Sequence, residues 1–125
     1  MTHKYIVSLA FTVQRRRRIF ADDWVKSVFQ HSVETTLKKY NAVLISLTYI
    51  EDSAVCIETS IPITMTVIDV FRIIRRTSAE ELKKQCPELQ TMRSIWSSRL
   101  WCSAGRVEKE DKDQILLFVH QQRNR

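Results

Sequence analysis

The chain has 125 residues, of which 44% are hydrophobic and 27% charged, a composition typical of a single folded domain (residues 1–125) with a sizeable core. One glycine and two prolines exclude the glycine-rich phosphate loops of P-loop and dinucleotide-binding proteins. The 20 lysines and arginines outnumber the 14 aspartates and glutamates, and the net charge of +6 favours a polyanionic partner.

Cysteine usage and hydropathy predict the compartment. Cys56, Cys86 and Cys102 are an odd number without short paired spacing, which argues against a disulfide framework and against a structural zinc site. The sequence contains no apolar run of about 18 residues and no signal-peptide pattern at its amino terminus. We therefore expect a cytoplasmic protein with free thiols and no membrane contact.

A first strand is predicted over residues 4–13, where apolar residues recur at every second position. It runs into four consecutive arginines, Arg15, Arg16, Arg17 and Arg18. Four guanidinium groups at a strand end cannot all be paired inside a small domain, so we expect them at the surface, free to meet phosphate. A solvated turn that only aids solubility is the alternative.

A first helix is predicted to begin after Asp22, a good amino-terminal cap, and to run to about Tyr40. Its apolar residues recur at three- and four-residue steps and form one stripe, which we expect to face a sheet: Trp24, Val25, Val28, Phe29, Val33, Leu37 and Tyr40.

A hairpin is predicted next, because residues 42–50 and 54–61 are two short runs rich in β-branched and aromatic residues, separated by a polar break at residues 51–53 and closed by Pro62. Alternation assigns one core-facing set to the two strands: Val43, Ile45, Leu47, Tyr49, Val55, Ile57 and Ile61. The opposite face of the second strand carries small or polar groups, and chemistry is expected there: Ala54, Cys56, Glu58 and Ser60.

A second helix is predicted to be capped by Thr64 or Thr66 and stopped by Pro87. Its middle carries three arginines, followed by two acids: Arg72, Arg75, Arg76, Glu80 and Glu81. An internal charge ladder therefore competes with a phosphate-binding surface.

A last strand or extended arm is predicted over residues 92–101, where basic and aromatic residues interleave: Arg93, Trp96, Arg99 and Trp101. This pattern suits stacking on unpaired bases, although tryptophans in a small domain more often belong to the core. A final helix is predicted from Glu108 to Gln122. Because the apolar block 115–119 covers nearly its whole circumference, this helix should be buried on two sides, which suggests a second subunit.

The order strand, helix, strand, strand, helix, strand predicts an α+β sandwich of ferredoxin-like type. We expect an antiparallel sheet with helices on one face, an additional carboxy-terminal helix, and a dimer.

Several segments together resemble a known family. They are the first strand with its arginine run, the hairpin with its Ser60-Ile61-Pro62 exit, residues 82–89, the aromatic pair Trp96 and Trp101, and the last helix ending in Gln122. Their order and spacing resemble the small HUH-type single-tyrosine transposases, the single-strand DNA enzymes of compact insertion sequences. The resemblance covers nearly the whole chain.

The resemblance implies a dimer that cuts and rejoins single-stranded DNA at hairpin-marked ends. In that family a tyrosine on the last helix attacks a phosphodiester and forms a 5′-phosphotyrosine. A His-hydrophobic-His motif on the central strand and a glutamine four residues after the tyrosine hold a divalent Mg or Mn ion.

In this chain the family's histidines fall on Ala54 and Cys56, or on Ser53 and Val55 if Asp52 is the anchor. The family's tyrosine falls on Phe118, while Gln122 keeps the four-residue step. The resemblance therefore implies that both the histidine pair and the nucleophile are missing, and we expect no metal cofactor. A makeshift metal site of Cys56, Glu58 and Gln122 is disfavoured, because a lone thiolate is a soft ligand poorly matched to Mg or Mn.

We predict a catalytically silent, dimeric protein that binds single-stranded or hairpin DNA. Ten residues are predicted to contact the DNA: Arg15, Arg16, Arg17, Arg18, Arg72, Arg75, Arg76, Arg93, Arg99 and Trp101. Two alternatives stay open, a divergent active transposase with a non-standard site and a dimerisation or regulatory module that does not bind DNA.

Overall fold

The computed structural model describes residues 3–122. Its strands are β1 (Lys4–Thr12), β2 (Val43–Ile50), β3 (Ala54–Pro62) and β4 (Trp101–Ala104), and its helices are α1 (Asp23–Lys39), α2 (Val67–Gln85) and α3 (Lys109–Gln121). Short 3-10 turns occupy Ile19–Ala21 and Pro87–Leu89, and Gln14–Arg16 form a tight turn with non-helical backbone. Within the described range, none of the helices has the length and apolar character needed to cross a membrane.

The four strands form one antiparallel sheet in the order β2-β3-β1-β4. β1 pairs along its whole length with β3, so that Thr12 lies opposite Ala54, and it pairs through residues 7–10 with β4. The helices α1 and α2 connect strands that run in the same direction, with an antiparallel strand between them. This arrangement is the ferredoxin-like fold, and the predicted fold class is confirmed.

The larger core lies between one face of the sheet and the helices α1 and α2. Alternate residues of the two central strands contribute to it: Val7, Leu9, Phe11, Val55, Ile57 and Ile61. Phe29 and Val33 of α1 and Phe71 and Ile74 of α2 pack against them. Each fully buried side chain of this kind stabilises the fold by about 1.5–3 kcal/mol, so this layer supplies most of the driving force.

Capping groups set the starts of the first two helices. The carboxylate of Asp22 accepts a hydrogen bond from the Trp24 N–H at 2.8 Å. Thr66 and Asp69 form a reciprocal capping box, so Thr66 rather than Thr64 begins α2. Pro87 follows the end of α2, as predicted.

A β-bulge at Ile45 corrects one prediction for the hairpin, because the pairing of β2 with β3 shifts there by one residue. A one-residue shift exchanges the two faces of a strand. Leu44 therefore packs against the larger core and Val43 is 51% exposed, so the prediction that Val43 faces the core was wrong. Leu47 and Tyr49, beyond the bulge, pack against the core as predicted.

Residues 92–101 were predicted to form a last strand or an extended arm, and of these two alternatives the strand was wrong. Residues 92–100 are irregular and contain one isolated bridge, between Trp96 and Val13, and β4 begins only at Trp101. The reason is that Trp96 turns into the core, where it is 1% exposed, instead of alternating along a sheet edge. Trp96 is therefore not available as a platform for bases.

The predicted apolar stripe of α1 is shorter than expected. Trp24 and Tyr40 lie at its two ends and are 55% and 42% exposed. The indole N–H of Trp24 donates to the carbonyl of Gln85 at 3.2 Å, so this side chain lies over the end of α2 and not in the core.

Candidate functional site

The helix α3 packs on the sheet face opposite to α1 and α2. It forms a second, smaller buried cluster with the two central strands: Ala10, Ala54, Cys56, Ile115 and Val119. Phe118 is half-buried against this cluster. Three of the four positions that the resemblance assigns to the reaction centre therefore lie together, namely Ala54, Cys56 and Phe118.

Gln122, the fourth position, follows α3 directly and is 1% exposed. Its backbone N–H donates to the carbonyl of Val119 at 3.1 Å. Its side-chain oxygen Oε1 is buried and has no hydrogen-bond partner among residues 3–122. A buried amide oxygen without a hydrogen-bond partner is uncommon in folded proteins.

The side chains of these four residues do not fit a divalent cation. Mg and Mn require several oxygen ligands, and neither Ala54 nor Phe118 carries a donor atom. Burial, together with the charges of Glu58 and Asp111, raises the pKa of Cys56 to about 11, so the thiol stays protonated near neutral pH and is a poor ligand. Throughout the described range, no three His, Cys, Asp or Glu side chains are grouped so that they could hold a metal.

Glu58 is engaged by donors of the protein itself. The Nε of Arg106 donates to its Oε2 at 2.7 Å, and the Val107 N–H donates to the same oxygen at 2.8 Å. The hydroxyl of Ser46 donates to Oε1. Glu58 thus anchors the connection between β4 and α3 to the sheet, which leaves it poorly placed for the makeshift metal site considered above.

Glu58 predicts a pH dependence of stability. Burial raises the pKa of Glu58, but the hydrogen bonds from Arg106, Ser46 and Val107 and the charge of Arg106 outweigh this effect and lower the pKa from 4.5 to about 2. A carboxyl group with a lowered native pKa contributes stability above its unfolded pKa, and this contribution is lost as the pH falls through the native value. We expect the free energy of unfolding to decrease by about 3 kcal/mol between about pH 5 and pH 2 because of this group.

Urea unfolding of the parent chain and of Glu58→Gln across this pH range measures the effect. Glu58→Gln should flatten the pH profile, whereas Asp113→Asn, which removes an exposed carboxylate of α3, should leave it unchanged. Parallel profiles for the parent and Glu58→Gln would contradict the assignment.

The four consecutive arginines divide into two pairs. The Nη2 of Arg16 lies 3.3 Å from Oε2 of Glu51, and the Nη2 of Arg18 lies 2.7 Å from Oδ2 of Asp52. Arg15 and Arg17 are exposed and form no ion pair with any residue of the described range. The acidic turn of the hairpin, Glu51-Asp52, therefore neutralises every second arginine.

Two neighbouring concave sites contain arginines and lack acids. The first, about 450 Å³, is lined by Gln14, Arg15, Arg17, Thr91, Met92, Arg93 and Ser94. The second, about 270 Å³, is lined by Arg72, Arg75, Arg76, Ala79, Ser94 and Trp96. Because both sites include Ser94, they adjoin, and we refer to them together as the arginine groove. Six of the ten predicted DNA contacts lie there.

The charge ladder considered for α2 is absent from the described range. Arg75 donates from Nη2 to the carbonyl of Trp96 at 3.3 Å, and Glu81 accepts from the side chain of Gln85 at 3.0 Å. No ion pair joins the α2 arginines to Glu80 or Glu81 within residues 3–122. The α2 arginines therefore keep their charge available to an external anion.

Four of the ten predicted DNA contacts lie outside the arginine groove: Arg16 and Arg18, which pair with Glu51 and Asp52, and also Arg99 and Trp101. Arg99 is exposed but lines neither of its two sites. Trp101 is opposite Ala10 in the sheet and packs against the smaller cluster on the α3 side. The structure thus separates Trp101 from the arginines with which it was grouped.

Four residues of these networks were not predicted as candidates from the sequence: Arg106, His120, Glu51 and Asp52. Arg106 holds Glu58, and the Nε2 of His120 lies 2.7 Å from the Oε2 of Glu51 that also binds Arg16. Asp52 was considered only as an alignment anchor. The sequence did contain a signal for the ion pairs of Glu51 and Asp52. These two acids lie in a predicted hairpin turn, and the first strand ends in arginines.

Comparisons with known proteins identify a family and structures of similar fold. The family model described as "Transposase IS200 like" matches residues 1–122. The crystal structure of a candidate transposase from Deinococcus radiodurans R1 superposes with a TM-score of 0.86 at 13% identity, covering 100% of this chain and 95% of that one. A REP-associated tyrosine transposase bound to a REP hairpin gives a TM-score of 0.57 at 14% identity, covering 92% of this chain and 65% of that one. A comparison with curated protein sequences found no match.

At these identities the two structures establish a shared fold. The family match adds what the fold alone leaves open, because it extends over nearly every residue, from the first strand to the end of α3. The chain therefore belongs to the IS200-like transposase family.

Proposed function

We propose that this chain is a DNA-binding member of its family that neither cleaves nor joins DNA. It binds single-stranded or hairpin DNA as a homodimer in the cytoplasm. The observation that carries the proposal is the arginine groove, in which six guanidinium groups line two adjoining concave sites without any carboxylate. Such a surface attracts the phosphate backbone of nucleic acids.

The proposed loss of cleavage rests on the α3 side of the sheet. Phe118 has an aromatic ring but no hydroxyl with which to attack phosphorus. Ala54 and Cys56 belong to an apolar cluster there and offer a metal no suitable oxygen or nitrogen ligand. The fold is thus retained, while the chemical groups that cleavage requires are missing from the positions that the resemblance assigns to them.

The proposed dimer is supported by the outer surface of α3. Leu116 and Leu117 are 43% and 60% exposed, whereas Ile115 and Val119 of the same helix are buried against the sheet. Adjacent exposed leucines on a packed helix are typical of a surface that a second subunit covers. Sedimentation should therefore give about twice the chain mass of 14.8 kDa.

Binding should be measured by fluorescence anisotropy with a labelled DNA hairpin, a matched single strand and a matched duplex. The hairpin is a suitable first probe because one of the similar structures is bound to a REP hairpin. If about four phosphates are contacted, affinity should fall about 50-fold between about 50 mM and 200 mM salt. Equal binding at low and high salt would overturn the proposal.

Cleavage should be tested by incubating the chain with the labelled hairpin and manganese, followed by denaturing electrophoresis. We expect no covalent protein–DNA adduct. An adduct would favour the divergent active transposase instead. A tight dimer that binds none of the three DNA probes would favour the dimerisation or regulatory module.

A further inference from the structure

The larger half of the arginine groove is built from two segments that are distant in the sequence. Arg15 and Arg17 come from the turn after β1, and Arg93 comes from the irregular segment before β4. Backbone hydrogen bonds join these segments, since the Gln14 N–H donates to the Ile95 carbonyl at 2.8 Å and the Ser97 N–H donates to the Thr12 carbonyl at 2.9 Å. The walls of this site are therefore held in place before any ligand binds.

The charge of this site is not neutralised by its surroundings. Its remaining lining is polar or apolar but uncharged: Gln14, Thr91, Met92 and Ser94. The ammonium group of Lys83 donates to the Arg93 carbonyl at 3.5 Å, which adds a further positive charge nearby. Within the described range, no carboxylate pairs with Arg15, Arg17 or Arg93.

A neighbouring concave site provides an internal contrast. It is also lined by Arg17, together with Arg18, but its lining includes the carboxylates of Asp22 and Glu88. Arg18 is in addition held by Asp52. The two sites share Arg17 but differ in net charge. The site that also contains Arg15 and Arg93 has no acidic residue in its lining and is the more positive of the two.

The backbone of the arginine run is also unusual. Arg15 and Arg16 both have left-handed conformations, with φ of 57° and 53°, although neither is a glycine. Left-handed backbone at consecutive bulky residues is strained, and such strain is concentrated at functional sites. This backbone conformation places neighbouring arginines on different sides of the turn. Arg16 forms an ion pair with Glu51, while Arg15 and Arg17 line the groove.

We propose that Arg15, Arg17 and Arg93 form a phosphate-binding site that holds one phosphate group of a bound DNA strand. Planar guanidinium groups match the oxygens of a phosphate, and three of them around one concave site suit a single tetrahedral anion. This inference rests on the proposed DNA binding and adds the position at which a phosphate is fixed. The phosphate belongs to the DNA backbone or to a strand terminus.

A matched pair of variants tests the site. Arg93→Gln and Lys39→Gln each remove one positive charge from an exposed side chain, but only Arg93 lines the site. We expect Arg93→Gln to weaken hairpin binding about 10-fold at low salt and to reduce the salt slope by about one, and Lys39→Gln, at the end of α1, to change affinity less than about 2-fold. Equal losses in the two variants would overturn the site and leave the proposed DNA binding intact.

Binding of inorganic phosphate tests the site in the absence of DNA. Titration followed by NMR of the arginine Nε–H groups should shift the signals of Arg15, Arg17 and Arg93, and Arg93→Gln should weaken this response. Uniform small shifts over all arginines would overturn the proposal. Failure of the parent chain to bind any DNA probe would instead overturn the proposed function, so the two failures are distinguishable.

The source of the phosphate is resolved with a short single strand that carries either a 5′-phosphate or a 5′-hydroxyl. If the 5′-phosphate strengthens binding about 5-fold and Arg93→Gln removes this advantage, the site holds a terminal phosphate. If both strands bind equally and Arg93→Gln weakens both, it holds a backbone phosphodiester. If Arg93→Gln weakens neither strand, the site does not hold DNA phosphate.

Discussion

Replacing Arg15 and Arg17 together by glutamine is expected to weaken hairpin binding at least about 100-fold at low salt, since each charge-assisted contact is worth about 1.5–3 kcal/mol. The second pair of the run, Arg16 and Arg18, should behave differently. These two side chains are already held by Glu51 and Asp52, so we expect Arg16→Gln with Arg18→Gln to weaken binding less than about 10-fold.

The two double variants remove the same charge from the same short segment, so each serves as the control for the other. Anisotropy measured over a series of salt concentrations should give a slope reduced by about 1.4 for Arg15→Gln with Arg17→Gln, and a smaller reduction for the other pair. Equal losses of affinity would mean that binding responds only to net charge. The division of the arginines by the acidic turn would then have no role in DNA binding.

Trp96→Ala is expected to lower the free energy of unfolding by about 3–5 kcal/mol. The indole lies among aromatic rings, with centroids 4.8 Å from Phe11, 5.3 Å from Phe29 and 5.9 Å from Phe20. Its N–H also donates to the hydroxyl of Ser78 at 3.0 Å, in a fully buried position. Removing the side chain therefore leaves a cavity and takes one hydrogen bond from the buried Ser78 hydroxyl, which still donates to the Ile74 carbonyl.

Domains of this size are stable by only about 5–15 kcal/mol, so Trp96→Ala removes a large part of the total stability. Trp96→Phe provides a milder test, with an expected loss of about 1–2 kcal/mol. Trp24→Ala is the control, since Trp24 is 55% exposed, and its loss should stay below about 1 kcal/mol. Urea unfolding measures all three variants. A Trp96→Ala loss as small as that of Trp24→Ala would contradict the central position of Trp96.

Much of the fold was predictable because its signals are local. The cap at Asp22 and the end of α2 before Pro87 depend on residues within one or two helical turns. The two strands of the hairpin depend on residues a few positions apart. The bulge at Ile45 was not predictable, since alternation continues through Val43 in the sequence and only the pairing with β3 reveals the extra residue. The same holds for Trp96, whose surroundings come from β1, α1 and the turn before α1.

The sequence predicted which residues belong to the candidate site better than it predicted which of them lie together in space. The resemblance named Ala54, Cys56 and Phe118, and the structure places them around one cluster. The basic and aromatic pattern of residues 92–101 associated Trp101 with the arginines, whereas the structure places it on the α3 side of the sheet. Strand pairing, which the pattern of one segment does not contain, determines that placement.

By itself the amino-acid sequence determined the helix caps, the hairpin and the excess of positive charge, because each follows from neighbouring residues or from composition. Only the tertiary structure decided which arginines remain available to an anion. The ion pairs of Arg16 with Glu51 and of Arg18 with Asp52 join residues 35 and 34 positions apart, and Arg93 reaches Arg15 and Arg17 only through the packing of the segment before β4. Electrostatic pairing depends on distance in space, which the order of residues along the chain does not specify.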